Sequence, residues 1–164
     1  MFNTGKKAVA LFLVMALAAP AFAGIGSKKA LYVGGTLPEV KEQTEGELQT
    51  GDEAELRFVA KGQSASIPYG RVTGLEYGQK AGRRVGATIL AGLALGVFAL
   101  PILFSKKRKH FLTVGYSDEA GKEQVAVFEL GKDVVRPTLA VVEARAGKKV
   151  EYQDDEARKS AKGN

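Results

Sequence analysis

The sequence predicts a small α+β domain, mainly β: a small bent antiparallel sheet or partial barrel with a C-terminal helix, plus an apolar membrane-type helix inserted mid-chain. Three observations predict it. Short runs of alternating apolar and polar residues are separated by Gly, Pro and Asp turn signals. Near the end, the apolar period changes from two to that of a helix. Between the strand-like runs, the stretch VGATILAGLALGVFALPILF from Val85 to Phe104 carries no charge.

Ala30 to Leu37 reads as a strand with a bulge or bend at Gly34-Gly35, ended by Pro38. Residues 39–46 are polar and read as a loop, Glu47–Thr50 as a short strand, and Gly51-Asp52 as a turn. In Ala54–Ala60, Leu56, Phe58 and Ala60 face one way and Glu55 and Arg57 the other, the pattern of a half-buried antiparallel strand. Lys61-Gly62-Gln63 turns the chain. Ala65–Tyr69 and Gly70–Tyr77 follow, with Ile67, Val72 and Leu75 as inward residues and Pro68 at an edge or turn.

Beyond the apolar stretch, Phe111–Tyr116 and Gln124–Leu130 form a strand pair around the polar loop Ser117–Lys122, and the second is apolar enough to be central. Val135, Leu139, Val142 and Ala146 make one helical stripe. Asp133 is a candidate N-cap, Pro137 belongs in the first turn, and Gly147 is a C′ glycine followed by Lys148 and Lys149. Lys149–Tyr152 adds a last short strand, and residues 154–164 read as a disordered charged tail.

The N-terminus sets the compartment. MFNTGKK is basic, AVALFLVMALAAP is apolar, and Ala21-Phe22-Ala23 offers small residues before Gly24, so residues 1–23 read as a cleaved bacterial signal peptide. The expected location is the periplasm, in association with a membrane. The chain has no cysteine, which excludes disulfides, a lipobox anchor, zinc–thiolate sites and thiol chemistry. Without Lys6 and Lys7, 22 basic residues face 18 acidic ones, a net of +4. Seven of the cations flank the apolar stretch: Lys80, Arg83 and Arg84 before it, and Lys106, Lys107, Arg108 and Lys109 after it. The rest of the mature chain is therefore net −3, which argues against nucleic acid as a partner.

Ile67-Pro-Tyr69, Leu75–Lys80, Lys109–Val114, Ala126–Lys132 and Val142–Gly147 together resemble a group of uncharacterised small secreted bacterial proteins. The arrangement is also similar to the pleckstrin-homology-like (PH-like) and GRAM-like superfold. That resemblance implies one domain over residues 24–153, with the apolar insertion at 85–104, acting as a module that binds lipid, peptide or protein. The basic loop motif of headgroup-binding members has no counterpart between the first two strands, so phosphoinositide binding is not implied.

Three placements of Val85–Phe104 follow from the sequence. Twenty apolar residues meet the length for a membrane span, and Gly92 and Gly96 form a small-xxx-small pattern for close helix packing. A single span would leave residues 105–164 cytoplasmic and divide the strands into two halves, each too small to bury a core. A second placement keeps one domain on one side of the bilayer, with a shallow insertion whose basic flanks meet the same anionic surface. The third buries the stretch in protein or in an oligomer, although an apolar helix needs cover on every side.

Catalytic chemistry has no signature here. His110 is the only histidine and reads as interfacial or surface. Asp52-Glu53 and Asp154-Asp155-Glu156 read as solvated turn and tail. No nucleophile elbow, phosphate loop, zinc helix or dinucleotide fingerprint is found, so no enzyme, metal or cofactor is expected. The expectation is a non-enzymatic envelope protein, attached to a membrane lipid surface through residues 85–104 and serving as a binding or scaffolding module. The alternatives are an oligomeric assembly protein that self-associates through Gly92 and Gly96, and a single-pass membrane protein.

Overall fold

The structure, a computed structural model, describes residues 27–79 and 109–162. Its elements run β1 (Ser27–Gly35), β2 (Thr44–Gln49), β3 (Glu55–Ala60), β4 (Gln63–Pro68), a 3₁₀ turn (Tyr69–Arg71), β5 (Val72–Gly78), β6 (His110–Ser117), β7 (Glu123–Leu130), α1 (Lys132–Ala146), β8 (Val150–Tyr152) and α2 (Asp155–Lys162). The strands form one sheet in the order β4-β3-β2-β1-β7-β6-β5-β8. Two antiparallel meanders, β1–β4 and β5–β7, are joined where β1 pairs with β7.

That join depends on a bulge. The register shifts between Tyr32 and Gly34, and Gly35 follows at φ 134°. A Cβ on Gly35 would stand 2.2 Å from the Val125 carbonyl oxygen, so only glycine lets the two backbones approach this closely. Thr36 then fixes the crossing: its N–H donates to the Val125 carbonyl at 2.7 Å, and its Oγ1 accepts from the Val125 N–H at 2.9 Å.

One face of the sheet holds the core. Tyr32, Phe58 and Phe128, from three strands, meet with ring centroids 5.6–6.1 Å apart. Ile67 on edge strand β4 and Val150 on edge strand β8 belong to the same cluster. In a flat sheet of eight strands these edges would be about 34 Å apart, so the sheet curves strongly around its core. Both helices bury their apolar residues there: Val135, Leu139 and Val142 from α1, Ala157 and Ala161 from α2. Arg145 ties α1 to the β2–β3 turn by donating to the carbonyls of Thr50 and Asp52, with its guanidinium 5.8 Å over the Tyr69 ring.

Several expectations are corrected. The sheet is mixed rather than antiparallel, because β8 runs parallel to β5 after the α1 crossover, with Leu75 opposite Val150. There are two described helices, and neither is long and apolar enough to cross a membrane, so an inserted membrane-type helix is not among the described elements. Residues 85–104, on which it was expected, lie outside the described residues, as do residues 1–23. Much of the stretch read as a disordered tail forms α2, where Asp154 Oδ1 accepts from the Ala157 N–H at 2.7 Å as an N-cap. Two small residues, Ala157 and Ala161, are enough to seat this charged helix.

Helix α1 begins earlier than its sequence signals indicate. Gly131 is its N-cap, Asp133 lies in the first turn, and Pro137 stands inside the helix beyond that turn. Gly147 closes it in the left-handed conformation, at φ 62°.

Two glycines of positive φ differ in their surroundings, and this yields a test. A Cβ on Gly121 would meet nothing within 4 Å, whereas one on Gly35 would strike the β7 backbone. Gly121→Ala should cost about 1–2 kcal/mol of unfolding free energy, the backbone term alone. Gly35→Ala should cost about 3–5 kcal/mol, because steric displacement of β7 is added. Urea denaturation of the two variants measures the difference; equal losses would show that the bulge is not tight.

Candidate functional site: the root of residues 80–108

β5 ends and β6 begins at the same place, with Gly78 opposite Phe111. The chain therefore leaves the sheet after Gln79 and returns at Lys109, from two hydrogen-bonded neighbours. Leu130 at the end of β7 lies opposite both His110 of β6 and Ala30 of β1, so the start of β1 shares this end of the sheet.

Each anchor of this root is tied down. His110 Nδ1 lies 2.5 Å from Tyr77 Oη, and the two rings stack with centroids 6.1 Å apart. The Ser160 hydroxyl of α2 accepts from Gln79 Nε2 at 2.8 Å. Lys109 Nζ donates to Glu129 Oε2 at 2.8 Å. Burial pushes the His110 pKa below the usual histidine value; the Lys132 charge acts in the same direction and Glu129 opposes it. Burial likewise pushes the Tyr77 hydroxyl up. A neutral imidazole and a protonated phenol follow, sharing one hydrogen bond between Nδ1 and the hydroxyl.

His110 is thus buried, at 8% exposure, rather than on the surface. The signal was legible: residues 110, 112, 114 and 116 share one strand face, and Leu112, Val114 and Tyr116 on it are core residues. Among the predicted membrane-surface cations, only Lys109 falls within the described residues, and it is engaged with Glu129. Lys80, Arg83, Arg84, Lys106, Lys107 and Arg108, with the packing candidates Gly92 and Gly96, lie outside them.

The chemistry available here is limited. An open groove of about 540 Å³ runs beside the root, lined by Lys29, Leu31, Glu45, Glu47 and Glu129 among others. Three carboxylates against one lysine in its lining do not suit a phosphate or an anionic headgroup. Among the described residues, no group of three or more His, Asp or Glu is placed to hold a metal ion. The Tyr77–His110 pair joins β5 to β6 and the Gln79–Ser160 bond joins the end of β5 to α2, so together they latch the root. No known protein family matches the chain, and no curated protein does either.

The latch predicts a pH dependence with a defined sign. The folded His110 pKa is depressed, so the unfolded chain binds the proton more readily, and stability falls as pH drops below about 6.5. The exposed carboxylates Asp52 and Asp118, also depressed, act only below about pH 3.8. Urea midpoints measured from pH 8 to pH 5 should fall for the native chain and stay flat for His110→Asn, whose amide can take the place of Nδ1 toward Tyr77 and does not titrate. An unchanged slope in the variant would remove His110 from the latch.

Proposed function

We propose that this protein is a non-enzymatic module of the bacterial cell envelope, held at a membrane surface by residues 85–104 and serving to bind or scaffold a partner there. The observation that carries the reading is the β5–β6 register. Both ends of the apolar stretch leave neighbouring strands of one sheet, so both basic flanks start from the same side of the domain. Seven cations, Lys80 to Lys109, lie within a few residues of those two exits. A single crossing that put residues 24–84 and 105–164 on opposite sides would have to separate strands that are hydrogen-bonded to each other.

Same-side flanks favour an anionic lipid surface. Each Lys or Arg near such a surface contributes about 1 kcal/mol, and an uncharged stretch between them adds apolar burial. The net negative charge of the remaining chain turns the rest of the domain away from that surface.

Two measurements test this. In flotation with phosphatidylglycerol vesicles, the chain lacking residues 1–23 should rise with the lipid. Reversing Arg83, Arg84, Lys106 and Lys107 to Glu should weaken the partition by at least about 100-fold. A native chain that stays at the bottom of the gradient would end the reading. In intact cells, Lys61→Cys and Lys122→Cys, each on an exposed turn, should both be labelled by a membrane-impermeant maleimide added from the periplasmic side; labelling of one alone would revive the single span.

A further inference from the structure

The two edges of the sheet are finished differently. β8, at one end of the order, has three residues with exposed Glu151 at its centre. Short length and a central charge are two of the ways in which proteins keep an edge from pairing further. β4, at the other end, has neither. It runs for six residues, Gln63–Pro68, with no charged side chain, and Ser64 and Ser66 are exposed on it. Its one breaker, Pro68, is the last residue.

Register decides which backbone groups β4 leaves open. The two-residue connection Lys61-Gly62 makes Ala60 and Gln63 a hydrogen-bonded pair, and the pattern repeats at every second row. Tyr69 carries the same phase past the end of the strand, where its N–H donates to the Ala54 carbonyl at 2.8 Å. The N–H and C=O groups of Gln63, Ala65 and Ile67 are therefore turned to β3, and those of Ser64 and Ser66 to the open side. No described strand pairs with that side. The open edge is also braced. Gln63 Oε1 accepts from the Lys41 N–H of the β1–β2 loop at 2.8 Å, and Ala65 and Ile67 are buried in the core. An edge held in this way loses little freedom when a strand is added to it.

We infer that β4 pairs with β4 of a second copy of this chain, antiparallel about a two-fold axis, giving a dimer with one continuous sheet. Symmetry, hydrogen bonding and charge select this occupant over another peptide. An antiparallel pair of identical strands is self-complementary. With Ala65 opposite Ala65 at the axis, Ser64 of each copy stands opposite Ser66 of the other, and the open N–H and C=O groups of both serines are all used. On the outer face each row then reads Arg57, Ser66, Ser64, Val59, so no like charges face each other. At each end Gly62 of one copy meets Pro68 of the other, the neighbour of Glu55 on β3. Lys61 thus comes to about 10 Å, two strand spacings, from a carboxylate of the other copy. The pairing does not depend on the membrane reading above.

The chain has no cysteine, so engineered thiols report the register directly. Full-length Ser64→Cys and Ser66→Cys chains, with tags of different size, are produced together in bacterial cells and oxidised mildly. The mixed pair should cross-link in most molecules. Each variant alone should cross-link far less, because each residue lies diagonal to its own copy across the axis. For the purified full chain in detergent, sedimentation equilibrium should give a dimer. Ser66→Pro removes an open N–H and leaves the β3 pairing intact, so it should raise the dissociation constant at least about 10-fold. If Ser66→Pro unfolds the chain, Ser64→Lys with Ser66→Lys replaces it, setting like charges opposite each other. A monomer up to the highest soluble concentration overturns the inference. So does a dimer that these substitutions leave intact, which belongs to another surface, or equal cross-linking in the mixed and single variants. Cross-linking of Ser64→Cys to a different protein overturns it as well and gives the edge to that partner.

Discussion

The pairing of β5 with β6 is the constraint on which the rest depends. Thirty residues of chain separate Gln79 from His110, yet Gly78 and Phe111 stand opposite each other in the ladder. Closing a connection of that length rather than a two-residue turn costs about 2–3 kcal/mol of loop entropy. The rows from Val72 to Gly78 repay it through Leu75 and Tyr77, which are buried against Val114 and Leu112. Without this pairing β5 would have only the three-residue β8 beside it, and β8 would have no strand to join.

The latch around Tyr77 follows from the same pairing. His110 is the first residue of β6 and Tyr77 the penultimate residue of β5, so register alone brings their side chains together at the root. Ser160 reaches Gln79 beside them because α2 is seated by Ala157 and Ala161, small enough to let a charged helix lie on the core. The parallel β8 places Gln153 beside Glu76, where its Nε2 donates to the carboxylate at 3.1 Å. One tight neighbourhood thus gathers β5, β6, β8 and α2, all at the end of the sheet from which residues 80–108 depart.

Much of the β architecture was legible, because its signals are local. Alternation gave β3, the Gly34-Gly35 pair marked the bulge, and Gly147 marked the end of α1. What escaped had a non-local cause. The parallel seat of β8 depends on where α1 delivers the chain. Helix α2 has almost no apolar stripe, and its stability comes from packing that two alanines permit. Pro137 was assigned to a first turn, but Gly131 caps the helix two residues before Asp133, and the exposed proline side chain is tolerated inside it. At the site, the seven flanking cations were readable as composition. The Tyr77–His110 contact was readable only through the alternation of β6, which an interfacial assignment for a lone histidine concealed.

The unbroken burial of β6 and β7 bears on the apolar stretch in a way hydropathy cannot. A sheet with one wet face alternates, as β3 does; a sheet covered on both faces does not need to. In Phe111–Tyr116 and Val125–Phe128 the polar positions expected of a wet face are taken by Phe, Thr, Gly and Val. The sequence of these strands is therefore matched to a second apolar layer. Neither described helix provides that layer, since both bury their apolar residues on the other face; on the reading proposed above, an uncharged stretch between basic flanks has the composition of such a layer.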